Sequence, residues 1–266
     1  VSPFSSFSSI YCAILFTNSL VLAQQDFHLN GFQYIIIDNG SVAVWNCYNN
    51  QDTVIIPDVV TFNNVKYTVV EIVSGAFWGK DYIVSVIIPN TVTSIGQSAF
   101  RECENLSSVV MPNSITNIGS WAFTYCHNLT SFTIPDSVTH IGAAIFGSCT
   151  NLTTLDYNAR NCNGVSVGTN HPFSYSSIST INIGDDVEKI PENFLYDMDS
   201  ITTINFSNNI THIGKKAFAY YDGFTTLNLP DSITYIGEEA FLECDNLSSI
   251  TLTNNLTYIG IGAFKG

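Results

Sequence analysis

An internal repeat of 23 residues constrains the fold of this chain more than any other feature of its sequence. The same residue types return at this spacing in columns of proline, phenylalanine, glycine, cysteine and leucine. These columns are Pro89, Pro112 and Pro135; Phe77, Phe100, Phe123 and Phe146; Gly96, Gly119 and Gly142; Cys103, Cys126 and Cys149; and Leu106, Leu129 and Leu152. A period of roughly 20–50 residues is typical of solenoids, in which each unit packs on its two neighbours. The sequence therefore predicts a stack of similar coils.

Two units depart from this period. Residues 158–183 form a unit of 26 residues that lacks the Ile-Gly-x-x-Ala-Phe signature, after which Phe218 rejoins the phenylalanine column. The first unit is 32 residues long. Its additional segment predicts a β-hairpin with Asn63-Asn64 at the turn, because two-residue hairpin turns favour such residues.

Each unit is expected to contain one short strand, in which apolar and polar residues alternate and which a proline without an amide hydrogen ends. Strands that return once per unit lie side by side and parallel, about 4.8 Å apart. The glycine of Ile-Gly is expected in a turn conformation. The Ala-Phe-x-x-Cys stretch is expected to cross the opposite side as a short helical turn. In one unit, the expected inward side chains are Leu106, Val109, Met111, Ile115, Ile118, Ala122, Phe123 and Cys126.

These units resemble the leucine-rich repeats of the bacterial BspA-like surface proteins, also described from treponemes. The matching positions are the Leu, Val, Ile/Met-Pro, Ile-Gly, Ala-Phe and Cys columns over residues 54–266. The preceding segment, within residues 24–53, resembles the N-terminal cap of such arrays. The resemblance implies a leucine-rich repeat solenoid with parallel strands in one sheet, turns and short helical segments opposite, and a β-hairpin cap. It also implies that the solenoid is right-handed, and that the protein is secreted or surface-attached and mediates adhesion to host proteins or other cells.

The N-terminal residues 1–23 are predicted to be a secretory signal peptide. Residues 10–22 form an apolar stretch of the expected length, and Asn18 and Ser19 interrupt it, so that it is too short for a transmembrane helix. Residues 1–9 carry no Lys or Arg, for which a missing extreme N-terminus is the simplest explanation. The chain ends inside a repeat, and we expect the natural protein to be longer. We predict a secreted or cell-surface protein without membrane insertion after signal removal.

The composition excludes several classes of function. The net charge is −14 with only 8 Lys and Arg, which argues against nucleic acid or an anionic membrane as partner. No Cys-x-x-Cys, His-Glu-x-x-His or Gly-x-Ser-x-Gly motif is present, and the five histidines are dispersed. We therefore predict no metal, no cofactor and no catalysis. The cysteines that occupy a repeat column are expected to be buried free thiols: Cys103, Cys126, Cys149 and Cys244.

Two positions of each strand are expected to point outward and form columns along the stack. The first outward column is Ser85, Ser108, Ser131, Thr154, Thr180, Thr203, Thr226 and Ser249. The second outward column is Ile87, Val110, Thr133, Asp156, Asn182, Asn205, Asn228 and Thr251. Such a surface suits docking of a protein or glycan. Alternatively, these side chains solvate an exposed β-face and pair with their stacked neighbours.

The irregular unit supplies a second set of candidate binding residues. Tyr157, Arg160, His171 and Tyr175 lie in or beside its loop, and loops often carry function. A tolerated insertion is an equally ordinary explanation.

The favoured function is a non-catalytic extracellular protein that mediates protein binding or cell adhesion through its exposed strand face. The expected partner is an extracellular protein or a cell-surface macromolecule, such as a host matrix protein or a glycan. Two alternatives stay open, a spacer that presents another module and a glycan-binding surface module.

Overall fold

The computed structural model describes residues 25–168, 171–198 and 200–266. The predicted signal peptide lies outside these residues. Within them, the chain forms the following β-strands: β1 (Asp26–Leu29), β2 (Phe32–Ile36), β3 (Ser41–Cys47), β4 (Thr53–Ile55), β5 (Val59–Phe62), β6 (Val65–Ile72), β7 (Ser85–Ile87), β8 (Ser94–Ile95), β9 (Ser108–Val110), β10 (Asn117–Ile118), β11 (Ser131–Ile134), β12 (His140–Ile141), β13 (Thr154–Tyr157), β14 (Thr180–Ile183), β15 (Lys189–Ile190), β16 (Thr203–Asn205), β17 (His212–Ile213), β18 (Thr226–Asn228), β19 (Tyr235–Ile236), β20 (Ser249–Thr251) and β21 (Tyr258–Ile259).

The N-terminal strands form an antiparallel extension of the stack. β1 pairs with β2 and β2 with β3, both antiparallel, and β3 then runs parallel to β6. β5 and β6 form the predicted hairpin. Its turn residues Asn63 and Asn64 have φ angles of 49° and 63°. Positive φ at both central residues is the requirement of the turn that matches the twist of two strands. The hairpin prediction is confirmed.

The repeated strands stack in parallel and in register, as predicted for a solenoid. Ser85 lies opposite Ser108 in β7 and β9, and Thr154 lies opposite Thr180 in β13 and β14. We call this stack the first ladder. It comprises three stretches, β4-β7-β9, β11-β13-β14-β16 and β18-β20. One rung is the set of residues that one repeat contributes to the stack.

A second ladder runs beside the first, so the expectation of one sheet is corrected. It consists of the stretches β6-β8-β10-β12 and β15-β17-β19-β21. Apart from the longer β6, its strands have two residues, and each strand ends on an isoleucine, which in all but β6 and β15 is that of Ile-Gly. The preceding threonines strengthen it, since Thr116 Oγ1 donates to the carbonyl oxygen of Thr93 at 3.2 Å and Thr139 Oγ1 to that of Thr116. Between β12 and β15, the irregular unit contributes no strand to this ladder.

The glycine of Ile-Gly is required for a reason other than the one expected. The backbone of Gly119 does not have a positive φ, so no turn conformation demands glycine there. A Cβ atom on Gly119 would instead lie 2.5 Å from the backbone nitrogen of Gln97 and 2.6 Å from the carbonyl carbon of Gly96. Glycine therefore allows the backbones of successive rungs to approach closely at this corner.

The predicted helical segments are wrong, because consecutive turns form the side opposite the first ladder. We call this side the turn face. Ser98 and Glu102 adopt the left-handed region, with φ angles of 54° and 59°. The amides of Ser98, Phe100 and Glu102 donate to carbonyl groups of the next rung, whereas those between them donate three residues back. Because every second amide hydrogen-bonds to a neighbouring rung, no helical ladder can form.

A column of stacked phenylalanine rings fills the interior, as predicted. The ring centroids of Phe77 and Phe100 lie 4.8 Å apart, and those of Phe100 and Phe123 lie 5.3 Å apart with nearly parallel planes. Of the inward side chains expected in the unit from Leu106 to Cys126, all are buried except Val109 and Met111, which are half-buried. Val109 belongs to β9, where one stretch of the first ladder ends.

The cysteine column is buried and free, as predicted, except that Cys244 is half-buried. Each thiol also has a regular partner, because it donates to the carbonyl oxygen of the phenylalanine 26 residues earlier. Cys126 bonds Phe100 at 3.2 Å and Cys149 bonds Phe123 at 3.0 Å. Burial raises the pKa of Cys149 to about 12. These thiols therefore stay protonated and act as packing and hydrogen-bonding groups.

The corner glycines generate a stability prediction. We expect Gly119→Ala to lower the free energy of unfolding by about 1–3 kcal/mol, because the new methyl group overlaps the backbone of the previous rung. Urea unfolding followed by circular dichroism measures the change. Gly40→Ala is the matched control, since its Cβ would meet nothing closer than 3.9 Å. Equal stability of the two variants would refute the close-approach explanation.

Candidate functional site

The first ladder presents both outward columns to solvent. Their members are exposed or half-buried, whereas the residue between them in each strand is buried or half-buried. In β11, for example, Ser131 and Thr133 are exposed and Phe132 is buried. The alternation therefore places every candidate of the two columns on one face, as the sequence predicted.

Side chains of the second outward column are hydrogen-bonded to one another from rung to rung. Thr133 Oγ1 donates to Asp156 Oδ2 at 3.3 Å, and Asn182 Nδ2 donates to Asp156 Oδ1 at 2.8 Å. Asn205 Nδ2 donates to Asn182 Oδ1 at 2.7 Å. Pairing between stacked neighbours thus explains why these four positions carry polar side chains. It also fixes their side chains in one orientation, which lowers the entropy lost when a ligand binds.

The N-terminal end of the same column is apolar. Val110 is 51% exposed, and Ile87 is also exposed. β4 extends the column by one rung, because Ile55 pairs with Ile87 and is 62% exposed. Ile55 was not predicted as a member of this column, although the Val-Ile-Ile-Pro run that contains it repeats the strand-and-proline pattern. The face therefore changes along the stack from exposed aliphatic side chains to an array of hydroxyl, carboxylate and amide groups.

Two of the loop candidates, Tyr157 and His171, are core residues. Tyr157 ends β13 on its inward side and packs its ring 4.9 Å from that of Phe194. His171 is fully buried, and its Nε2 lies 2.9 Å from the carbonyl oxygen of Phe194 while its Nδ1 accepts from the amide of Phe173. Burial lowers the pKa of His171 to about 4. Both side chains fill the interior of the irregular unit.

The other two loop candidates, Tyr175 and Arg160, lie on the surface. Tyr175 belongs to the turn face and is 67% exposed. Arg160 forms an ion pair with Asp136 and lies 4.0 Å from Asp186. It borders a polar cleft of about 700 Å³ at the position where the second ladder lacks a strand. The cleft is lined by Asn113, Asp136, Ser137, Arg160, Asn161, Asn163, Asp185, Asp186, Glu188, Lys189 and Asn209.

Across residues 25–168, 171–198 and 200–266, no group of three or more His, Cys, Asp and Glu side chains is arranged to hold a metal ion. No helix in these ranges is long and apolar enough to cross a membrane.

The sequence matches one protein family over most of its length. BspA-type leucine-rich repeat regions, in six copies, match residues 70–168 and 166–266. The chain belongs to the BspA-type leucine-rich repeat family. This confirms the resemblance seen in the repeat columns, and the described turn face shows that this member builds the side opposite its first ladder without helices.

Solved structures of leucine-rich repeat proteins resemble the chain to different degrees. A leucine-rich repeat protein of T. pallidum has a TM-score of 0.56 and 20% identity, and the match covers 74% of this BspA-type chain and 89% of that chain. A leucine-rich repeat protein of Bacteroides ovatus has a TM-score of 0.44 and 22% identity, with 91% and 92% covered. A leucine-rich cell-surface protein of Faecalibacterium prausnitzii has a TM-score of 0.34 and 21% identity, also with 91% and 92% covered. The likeness to the T. pallidum protein shows the fold alone.

No functionally curated protein has a significantly similar sequence. The chemistry of the surface itself must therefore support any assignment of function to this BspA-type protein.

Buried His171 generates a pH prediction. Its pKa lies below that of an unfolded histidine, so the unfolded chain binds more protons between pH 6.5 and 4. Protonation of His171 therefore does not reduce the free energy of unfolding above pH 6.5. Below pH 6.5 the free energy of unfolding decreases, by roughly 3 kcal/mol near pH 4. Urea unfolding at pH 7, 5.5 and 4.5 measures the loss.

The matched variants are His171→Gln, which removes the buried titration, and His140→Gln, which removes an exposed histidine. We expect the first to flatten the pH dependence and the second to leave it unchanged. Identical pH profiles of the two variants would contradict the assignment.

Proposed function

We propose that this chain is a non-catalytic binding module of a secreted or cell-surface protein, and that it mediates adhesion through the outward columns of the first ladder. The observation that carries the proposal is the composition of that face. Exposed Ile55, Ile87 and Val110 lie at one end, and a hydrogen-bonded series from Thr133 to Asn205 continues along the stack. Apolar area and oriented polar groups on one rigid surface are the ingredients of a specific interface.

The rigidity of the face supports binding over a passive role. Backbone pairing between rungs holds each strand, and side-chain hydrogen bonds hold Asp156, Asn182 and Asn205. A partner therefore meets groups that are already in position, so that little conformational entropy is lost on binding. Solenoids commonly bind through such extended surfaces.

The proposed partner is an extracellular protein, such as a host matrix protein. Exposed aliphatic side chains at Ile55, Ile87 and Val110 favour a partner with its own apolar surface. The amide and hydroxyl groups farther along the stack favour the second candidate, a glycan, because they donate and accept hydrogen bonds without net charge.

The buried thiols are compatible with an extracellular location. Burial raises the pKa of Cys103 to about 12, and burial also holds the pKa of Cys126 well above its ordinary value. A thiol that is shielded from solvent and stays protonated reacts slowly with oxidants and disulfides. Free cysteines of this kind therefore survive outside the cell, to which the predicted signal peptide would direct the chain.

The test is a binding screen against arrays of extracellular-matrix proteins and glycans. A variant with Ala at Thr203, Asn205, Thr226 and Asn228 removes four polar side chains of the outward columns. The control variant has Ala at Thr150, Asn151, Asn208 and Thr257, which lie outside both outward columns. We expect the first variant to bind at least about tenfold more weakly, equivalent to 1.4 kcal/mol, and the control to bind like the parent.

A further variant, Val110→Asp, separates the two partner classes. It should weaken binding of a protein that covers the apolar end and leave a glycan on the amide series unaffected. Parent-like binding by both the Ala variant and Val110→Asp would reject the strand face as the binding surface and favour a spacer role.

A further inference from the structure

The turn face holds an exposed cluster of aromatic rings around one arginine. Trp78 is 50% exposed and Tyr125 is 37% exposed. Between them lies the guanidinium group of Arg101, whose Cζ is 5.1 Å from the ring centroid of Trp78 and 5.4 Å from that of Tyr125. Tryptophan, tyrosine and arginine are the residues most enriched at the energetic centres of protein interfaces. This arginine cluster lies on the side opposite the first ladder.

The cluster is held in place by hydrogen bonds at its base. Glu102 accepts from the indole Nε1 of Trp78 at 2.9 Å through one carboxylate oxygen and from Nε of Arg101 at 3.1 Å through the other. The backbone beneath is fixed as well, since the amide of Glu102 donates to Thr124 and that of Tyr125 donates to Gly147. Glu102 therefore acts as a positioning residue for both the arginine and the indole.

The contacts of Arg101 leave one edge of its guanidinium group available. Trp78 and Tyr125 lie against the group, and Glu102 occupies Nε. Within the part of the chain that the structure describes, Nη1 and Nη2 have no hydrogen-bond acceptor. Two parallel N–H groups on a fixed planar fork match the two oxygens of a carboxylate. The flanking rings keep water away from such a pair and strengthen it.

We propose that the arginine cluster is a second binding surface, which takes a glutamate or aspartate side chain flanked by apolar residues on a protein partner. The terminal nitrogens of Arg101 would bind the carboxylate in bidentate fashion, and Trp78 and Tyr125 would contact the apolar neighbours. The aromatic surroundings favour a peptide over an acidic sugar, because a peptide offers apolar side chains beside its carboxylate. The chain's net charge of −14 opposes this partner only weakly at distances beyond roughly 8 Å, where charges are screened at physiological salt. Glu102 lies within that distance and already forms an ion pair with Arg101, so selection of the carboxylate rests on the bidentate hydrogen bonds and the flanking rings rather than on net charge.

The experiment uses an array of 12-residue peptides that carry one central Glu among Leu, Val, Phe and Tyr, each paired with a twin that has Gln at the centre. Oligo-glucuronate serves as the competing acidic glycan. We expect a subset of Glu peptides to bind at least about tenfold more tightly than their Gln twins, a difference of 1.4 kcal/mol. Arg101→Lys and Arg101→Gln should both abolish this preference. Lysine keeps the positive charge but lacks the planar pair of N–H groups, and glutamine lacks the charge as well.

Lys216→Gln is the matched control, since Lys216 also lies on the turn face and pairs with a glutamate, Glu239, at 3.1 Å. It should retain the preference for Glu peptides, as should the variant with Ala at Thr203, Asn205, Thr226 and Asn228. The proposal for the arginine cluster is therefore tested independently of the proposal for the strand face. Circular dichroism of each variant establishes that it is folded.

Three results would overturn the proposal. The first is that no Glu peptide is preferred over its Gln twin. The second is that Arg101→Lys binds as the parent does, which would show that the fork geometry is irrelevant. The third is that oligo-glucuronate binds the cluster in preference to every peptide, which would make the ligand an acidic glycan.

Discussion

Contact between equivalent positions of successive repeats is the interaction on which the whole molecule depends. At one corner, Gly119 lets two backbones approach to a distance that no side chain permits. In the interior, Phe100 and Phe123 stack face to face, and the thiol of Cys126 bonds the carbonyl oxygen of Phe100. On the turn face, every second amide donates to the next rung. No single repeat can satisfy these groups alone, so the units are stable only as an array.

The same regularity produces two surfaces of different chemistry. The first ladder repeats its outward positions in register, which aligns Asp156, Asn182 and Asn205 into one hydrogen-bonded series. The turn face carries diverse side chains, and there the rings of Trp78 and Tyr125 flank Arg101. The outward residues are the ones that can meet a partner, because the inward residues are committed to stacking.

The parts of the structure that follow the period could be predicted from the sequence. The phenylalanine and cysteine columns, the outward columns and the Asn63-Asn64 hairpin all follow from spacing and alternation. The turns of the turn face could not, since the acceptor for the amide of Phe100 lies on Ala122 of the next rung and leaves no local pattern. Apart from β6, the second ladder has only two residues per strand, too few for alternation to show. His171 belongs to the irregular unit, where no period assigned it to a face. Tyr157 immediately precedes that unit, 23 residues after Ile134, and the period does indicate its inward position.

Amide hydrogen exchange on the full chain tests the central claim most directly. The amides of Phe123 and Tyr125 donate to Ile145 and Gly147 of the next rung at 2.9 Å and 2.8 Å. If contact between rungs sustains the fold, these turn-face amides exchange as slowly as that of Leu155 in β13, although they belong to no strand or helix. Exchange of Phe123 and Tyr125 at the rate of an exposed loop, with Leu155 still protected, would contradict the account.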